Sequence, residues 1–180
     1  MGRRQSGEER RNLLLQIIED SDHPITGTAL AKQAGVSRQV IVQDLSLLKA
    51  KGHPVVATAR GYLLNELEND SSRKRRKIVC RHGYDQLKEE CDAIVDEGVT
   101  VLDVIVEHPV YGFITGELML KSRRDVRVLI ERLEETQATP LSSLTDGVHI
   151  HTLEADSDEA LEAAIEKLDH LGILVSELDV

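Results

Sequence analysis

No apolar run in the chain approaches the roughly eighteen residues needed to cross a bilayer, and no apolar h-region follows the N-terminus. Neither a membrane span nor a secretory leader is therefore expected. Gly2 and Ser6 stand at acylation spacing, but nothing else points to a membrane, so the match reads as chance. The two cysteines, Cys80 and Cys91, are too few for a disulfide framework, which makes the reducing cytoplasm the expected compartment. What remains is 180 residues, 41% apolar and 30% charged, enough for one large or two small globular domains.

Charge is divided unevenly within the net −10. Residues 1–65 carry nine Lys/Arg against six Asp/Glu, residues 66–77 five against three, and residues 81–180 eight against twenty-three. An acidic body would be repelled by DNA, so any nucleic-acid contact belongs to the basic front.

Leu13, Leu14, Ile17 and Ile18 in residues 8–20 fall at helical spacing. A second helix starts near Thr28 and stops at Gly35. Ser37 caps a third, running from Arg38 to about Ala50 before Gly52. Two short strands, about 55–58 and 62–64, follow around Ala59-Arg-Gly. Three helices and a hairpin make a winged helix-turn-helix. The segment Gly27 to Gly52, with Gly35-Val-Ser-Arg opening the third helix and Lys51-Gly closing it, resembles bacterial winged-helix repressors. In such a motif the third helix enters the major groove. Its polar side here offers Ser37, Arg38, Gln39 and Gln43, while Val40, Ile41, Leu45 and Leu48 can face the core. Arg reads guanine and Gln reads adenine by paired hydrogen bonds, and Ser holds phosphate. Arg60 at the wing tip suits phosphate or the minor groove. The competing reading is a protein-interaction module with these residues merely solvated; the basic balance favours DNA.

Asn65 to Lys77 is polar but for Leu67 and has no apolar period, which places a boundary near Asp70, with one domain over 1–68 and a second over 75–180. The run Arg73–Lys77 reads as a solvated linker or a phosphate-facing flank.

Beyond it, strands are expected at 78–82, 100–107, 147–154 and 173–178. Helices are expected at Tyr84 to Asp96, Ser122 to Thr136, and from Ser157 to about His170. The fold class is α+β: the winged helix-turn-helix followed by a small α/β sandwich with helices packed on one sheet. On the third of those strands, His149 and His151 point to one face, because side chains alternate with period two. Two converging imidazoles are half of a transition-metal site, though such a pair is also common at surfaces. His82 ends the first strand, eight residues before Glu90 on the following helix. Together the four offer three nitrogens and one oxygen, a set suited to Zn²⁺, Ni²⁺ or a similar ion. Spacing alone does not separate Glu90 from Glu89. Cys80, on the strand face of His82, is available as a fifth ligand but reads first as a buried strand cysteine. His23 and His53 precede prolines in loops and His170 sits at a helix end, so none of the three is a candidate.

The motifs Cys80-Arg-His-Gly-Tyr-Asp-Gln-Leu-Lys-Glu-Glu, Val104-Ile-Val-Glu-His-Pro-Val-Tyr-Gly and Asp146-Gly-Val-His-Ile-His resemble the 3H domain. That domain stands behind a winged helix in niacin-responsive transcriptional repressors of NAD biosynthesis. The resemblance implies His82, Glu90, His149 and His151 as metal ligands, with His108 near the site. Tyr111 and Arg81 are added to the ligand pocket only by proximity in sequence. It also implies nicotinic acid as co-repressor, operator DNA as partner, and a homodimer whose two recognition helices meet successive major grooves. A four-ligand ion keeps open positions, two if Ni²⁺ is octahedral, for a carboxylate or pyridine nitrogen. Two other readings stand beside this one. In the first, the ion itself is the signal for repression. In the second, the metal activates water for hydrolysis; Glu107 and Glu89 are the only nearby acids for a general base and neither is compelling, so an enzyme is not expected.

Overall fold

The computed structural model describes residues 6–58, 60–64 and 72–175. The chain divides into two compact units, Met1–Asn69 and Asp70–Val180.

In the first unit, helix α1 (Gly7–Glu19) opens with a capping box. Ser6 accepts from the Glu9 amide and Glu9 accepts from that of Ser6, satisfying two otherwise orphaned donors. Helix α2 (Gly27–Ala34) is capped by Thr26 and ends at Gly35 in the left-handed conformation. Helix α3 (Arg38–Ala50) is capped by Ser37. Strands β1 (Val55–Thr58) and β2 (Gly61–Leu64) form the antiparallel wing. Ala59 of the expected turn lies outside the described residues. The wing is sewn to the helices by Ile25, which exchanges backbone hydrogen bonds of 2.9 and 2.8 Å with Tyr62. Gly61 permits this approach, since a Cβ there would stand 2.5 Å from the Ile25 carbonyl. Leu14, Ile18, Leu30, Ile41, Leu45, Leu48 and Val55 fill the core. One charge is buried among them: Asp44 of α3, held by Arg10 at 2.6 Å and Arg11 at 3.4 Å from α1.

The second unit is a four-stranded antiparallel sheet in the order β3-β6-β4-β5. Its strands are β3 (Lys74–Arg81), β4 (Thr100–His108), β5 (Gly112–Leu120) and β6 (Val148–Ala155). Helices α4 (Leu87–Val95), α5 (Arg123–Thr136) and α6 (Asp158–His170) bury one face of the sheet. Cys91, Ile94, Val126, Leu161, Ala164 and Leu168 from the helices meet Ile78, Cys80, Val101, Leu120, Leu153 and Ala155 from the strands. Each fully buried Val, Leu or Ile among them contributes about 1.5–3 kcal/mol.

Three expectations need correction. The basic run is no linker, because β3 begins at Lys74 instead of Ile78 and residues 74–77 pair with β6. Its charge is absorbed by partners: Arg73 and Arg75 hold the buried Glu154 at 3.3 and 2.8 Å, and Arg76 holds Glu162 at 2.5 Å. The helix expected from Tyr84 starts with a 3-10 turn over Tyr84–Gln86 and becomes α-helical at Leu87. Strand β5 was not expected at all. Gly116 interrupts its inward apolar series at a position where a Cβ would stand 2.9 Å from Leu141. Of the last expected strand, residues 173–175 run beside β3, with Val175 donating to Val79 at 3.0 Å; its remainder lies outside the described residues.

Candidate metal centre

Four side chains from three elements meet on the helix-covered face. Register places Cys80 opposite His149 and Ile78 opposite His151, so alternation turns both histidines toward α4. His82 lies just past the end of β3, and Glu90 projects from the first turn of α4. Glu90 is 1% exposed and the three histidines 3–7%. Glu89, its neighbour, is exposed, and this separates the two carboxylates that the sequence alone left equivalent.

Each imidazole is fixed by its Nδ1 atom. His82 donates Nδ1–H to the Gly83 carbonyl at 2.8 Å, His149 to that of Gly147 at 2.8 Å, and His151 to that of Asp103 at 2.5 Å. A carbonyl oxygen only accepts, so all three Nδ1 atoms must carry hydrogen, and each neutral ring presents the Nε2 lone pair. Those lone pairs converge on Glu90: His82 Nε2 at 2.6 Å, His149 Nε2 at 3.2 Å and His151 Nε2 at 3.5 Å. Lone pair against carboxylate is repulsive unless a cation, a proton or a metal, stands between them. Burial opposes charge on His82, His151 and Glu90 alike. Their mutual hydrogen bonds and attraction outweigh it, raising both imidazole pKa values and holding Glu90 well below the usual carboxylate range. His151 Nε2 is buried and makes the longest of the three contacts to Glu90, too weak to satisfy it fully, which leaves that atom open to a ligand. Three imidazoles held by Nδ1–H···O=C bonds around a buried carboxylate fit a divalent transition metal.

Cys80 is fully buried and joins the same cluster, its Sγ grouping with a Glu90 oxygen and a His149 nitrogen within 4.8 Å. Burial first, and the Glu90 charge second, push its thiol pKa well up. Its side chain also packs in the core between sheet and helices, which favours the structural reading over a fifth ligand.

Three backbone groups that serve the site escaped the sequence reading. Gly83 and Gly147 supply carbonyls. Asp103 supplies the third because register shifts in β4 turn its carbonyl out of the ladder toward His151. Its carboxylate then accepts from the Thr152 amide at 2.9 Å, replacing the lost rung. The one available signal was an aspartate in the middle of Thr100-Val-Leu-Asp-Val-Ile-Val.

A cavity of about 190 Å³ opens from the cluster between α4, α5 and the Pro140–Ser142 segment, walled mainly by Val104, Leu118, Leu129, Leu133 and Leu141. His108, Tyr111 and Arg81 are not among its walls. His108 instead stacks on Tyr111 at 4.9 Å and accepts from the Val110 amide, near the β4–β5 turn, and Arg81 is exposed. A wider groove lined in part by Lys88, Asp92, Asp96, Arg123 and Lys167 shares no wall residue with the cluster, and these five charges form ion pairs with one another and with Glu97. Glu107 is exposed and Glu89 faces that groove, so neither is placed as a general base.

In the first unit, Ser37, Arg38, Gln39 and Gln43 are exposed on α3, while Ile41, Leu45 and Leu48 are buried and Val40 half-buried. Ser37 accepts from the Val40 amide, which leaves its hydroxyl hydrogen to donate outward. Arg60, half-buried, follows β1 in the wing.

Residues 10–63 match the HTH domain and residues 75–177 the 3H domain, so fold and site define a helix-turn-helix protein with a C-terminal 3H domain. The chain is similar to transcription repressor NadR of Bacillus subtilis (strain 168), 46% identical over 95% of this chain and 96% of that protein. It is also similar to the probable transcription repressor NiaR of Thermotoga maritima, 39% identical over 94% of this chain and 95% of that protein. The chain belongs to this family of transcription repressors. No helix among the described residues is long and apolar enough to cross a membrane.

Proposed function

We propose that the chain is a cytoplasmic, homodimeric repressor that binds operator DNA and senses nicotinic acid as co-repressor at a metal-bearing 3H domain, controlling NAD biosynthesis or niacin uptake. The observation that carries the sensor reading is the convergence of three Nε2 lone pairs on buried Glu90 at the mouth of a small apolar cavity. His82, Glu90, His149 and His151 hold the ion, nickel or zinc. When bound, that ion supplies the positive charge that attracts a carboxylate or pyridine nitrogen into an otherwise acidic domain.

The protein's own groups select the remainder of the ligand. Leu118, Leu129, Leu133 and Val104 present apolar surface to a flat ring and exclude water from it. At about 190 Å³ the cavity falls below the roughly 300–1,000 Å³ typical of drug-sized ligands, which favours a free pyridine over a dinucleotide. His108, Tyr111 and Arg81 remain proposed ligand-binding groups near the site, outside the walls of this cavity.

At the other end of the chain, Arg38, Gln39 and Gln43 read base edges, while Ser37 and Arg60 hold backbone phosphates. Nicotinic acid represses by binding better to the dimer geometry that spaces the two recognition helices for successive major grooves; only such differential affinity shifts the equilibrium. The test is operator affinity of metal-loaded protein with and without nicotinic acid, beside a H149A/H151A variant. Tighter binding with nicotinic acid, lost in the variant, is expected. Equal affinity in both conditions, or full activation by metal alone, overturns the reading.

A further inference from the structure

Among the described residues, the helices of the second unit cover one face of its sheet. The helices take the side bearing Ile78, Cys80, Leu153 and the histidines. The opposite side of each strand is covered by no helix of this unit among the described residues. Alternation and register read that open face in rows. The middle row is Val79, Ile150, Ile105 and Thr115, adjacent across all four strands. On one side of it lie Lys77 and Thr152, then Asp103 and Glu117; on the other lie Arg81 and Val148, then Glu107 and Phe113. The centre is apolar, Val79 is 39% and Val148 38% exposed, and Phe113, the chain's single phenylalanine, is 67% exposed. The flanks are segregated by sign: Lys77 and Arg81 on edge strand β3, Glu117 and Glu107 on the β5 side.

We propose that this face is the dimer interface, occupied by the same face of a second copy stacked about a two-fold axis parallel to the strands. The inference rests on the homodimer proposed above and names its surface. Such an axis lays β3 over the partner's β5, so that Lys77 meets Glu117, Arg81 meets Phe113 and Ile150 meets Ile105, each pair made twice. The alternative axis, perpendicular to the strands, would lay Lys77 over Arg81, like charge on like. Charge therefore selects the first arrangement, an aligned sandwich with the sheets about 10 Å apart. It also places a cation over an aromatic ring at the row's end, and it covers the exposed Val79 and Phe113 beside half-buried Ile150, Ile105 being buried already at 9%.

Cysteine cross-linking in the full-length protein tests the geometry. Val79 and Thr115 lie three strands apart within one chain, about 14 Å, too far for a short linker to bridge intramolecularly, whereas thiols on opposed faces about 10 Å apart are too far for a direct disulfide and need a linker of about 5 Å. V79C/T115C is expected to form covalent dimers with a bis-methanethiosulfonate of that span, and V79C alone is not. Sedimentation supplies a second measurement: K77E is expected to weaken the dimer about tenfold, and K77E/E117K to restore it. A wild-type dimer in which V79C links to itself, or in which V79C/T115C fails to link, overturns this interface while leaving the homodimer standing. A wild-type protein that sediments as a monomer with and without DNA overturns both.

Discussion

Gly147 lies against the backbone of His82: a Cβ at residue 147 would stand 2.3 Å from the His82 carbonyl oxygen. The Gly147 carbonyl meanwhile accepts from His149 Nδ1 at 2.8 Å and from the His82 amide at 3.3 Å. One residue at φ +87° thus sets the distance between the two strands that carry the imidazoles. G147A is expected to separate them and to lower metal affinity about 10- to 100-fold, the usual loss when a group orienting a ligand is disturbed. Calorimetric titration with Ni²⁺ or Zn²⁺ measures this. Unchanged affinity would remove Gly147 from the site.

Glu90 and Glu89 make a matched pair of controls. Only Glu90 faces the Nε2 atoms, so E90Q is expected to abolish stoichiometric metal binding while E89Q leaves it intact. Elemental analysis of the two purified variants decides it, and equal metal content in both would overturn the ligand assignment.

That pair also marks how far the sequence could be read. Helical amphipathicity located α4, and period two located the face of His149 and His151, because both patterns are written in side-chain polarity. Which of two adjacent glutamates turns inward depends on helix phase against the sheet, to which Glu89-Glu90 gives no clue. The carbonyls of Gly83, Asp103 and Gly147 were harder still, since any residue has a carbonyl and only the fold aims it. β5 stayed hidden because Gly116 yields its apolar position to Leu141. Lys74–Lys77 resembled a linker because its neutralising acids, Glu154, Asp158 and Glu162, lie about eighty residues away in sequence.

Protonation supplies a further check, on chelator-treated protein. His82 and His151 have raised pKa values in the fold, opposed by burial but carried by Glu90. Their stabilising contribution is complete below the unfolded histidine value of about 6.5 and is lost as pH rises through the folded values. Glu90, with its pKa depressed, contributes steadily in that window and fails only when pH falls through its own folded value, well below the usual carboxylate range. Metal-free protein is therefore expected to melt lower at pH 9 than at pH 6. The stabilisation gained from added metal should grow over the same interval, because protons no longer compete for Nε2. Melting curves at the two pH values with and without Zn²⁺ measure both trends, and a metal increment independent of pH would contradict the imidazole ligands.

In the DNA-binding unit, Asp44 is 3% exposed and held by Arg10 and Arg11, which locks α1 onto α3. D44A removes the acceptor and leaves two guanidinium groups without it at a nearly closed interface. Arg10 keeps 18% side-chain exposure, so water relieves part of the penalty and a loss of about 3 kcal/mol is expected, at the lower end for a broken buried pair. Urea denaturation read by a probe in the first unit measures this. Metal affinity should not change, because the imidazole cluster lies wholly in the second unit. If D44A weakens operator binding without lowering the urea midpoint, the aspartate acts on DNA recognition itself. If it lowers the midpoint and operator affinity together while metal binding holds, the ion pair is a brace for the recognition helix.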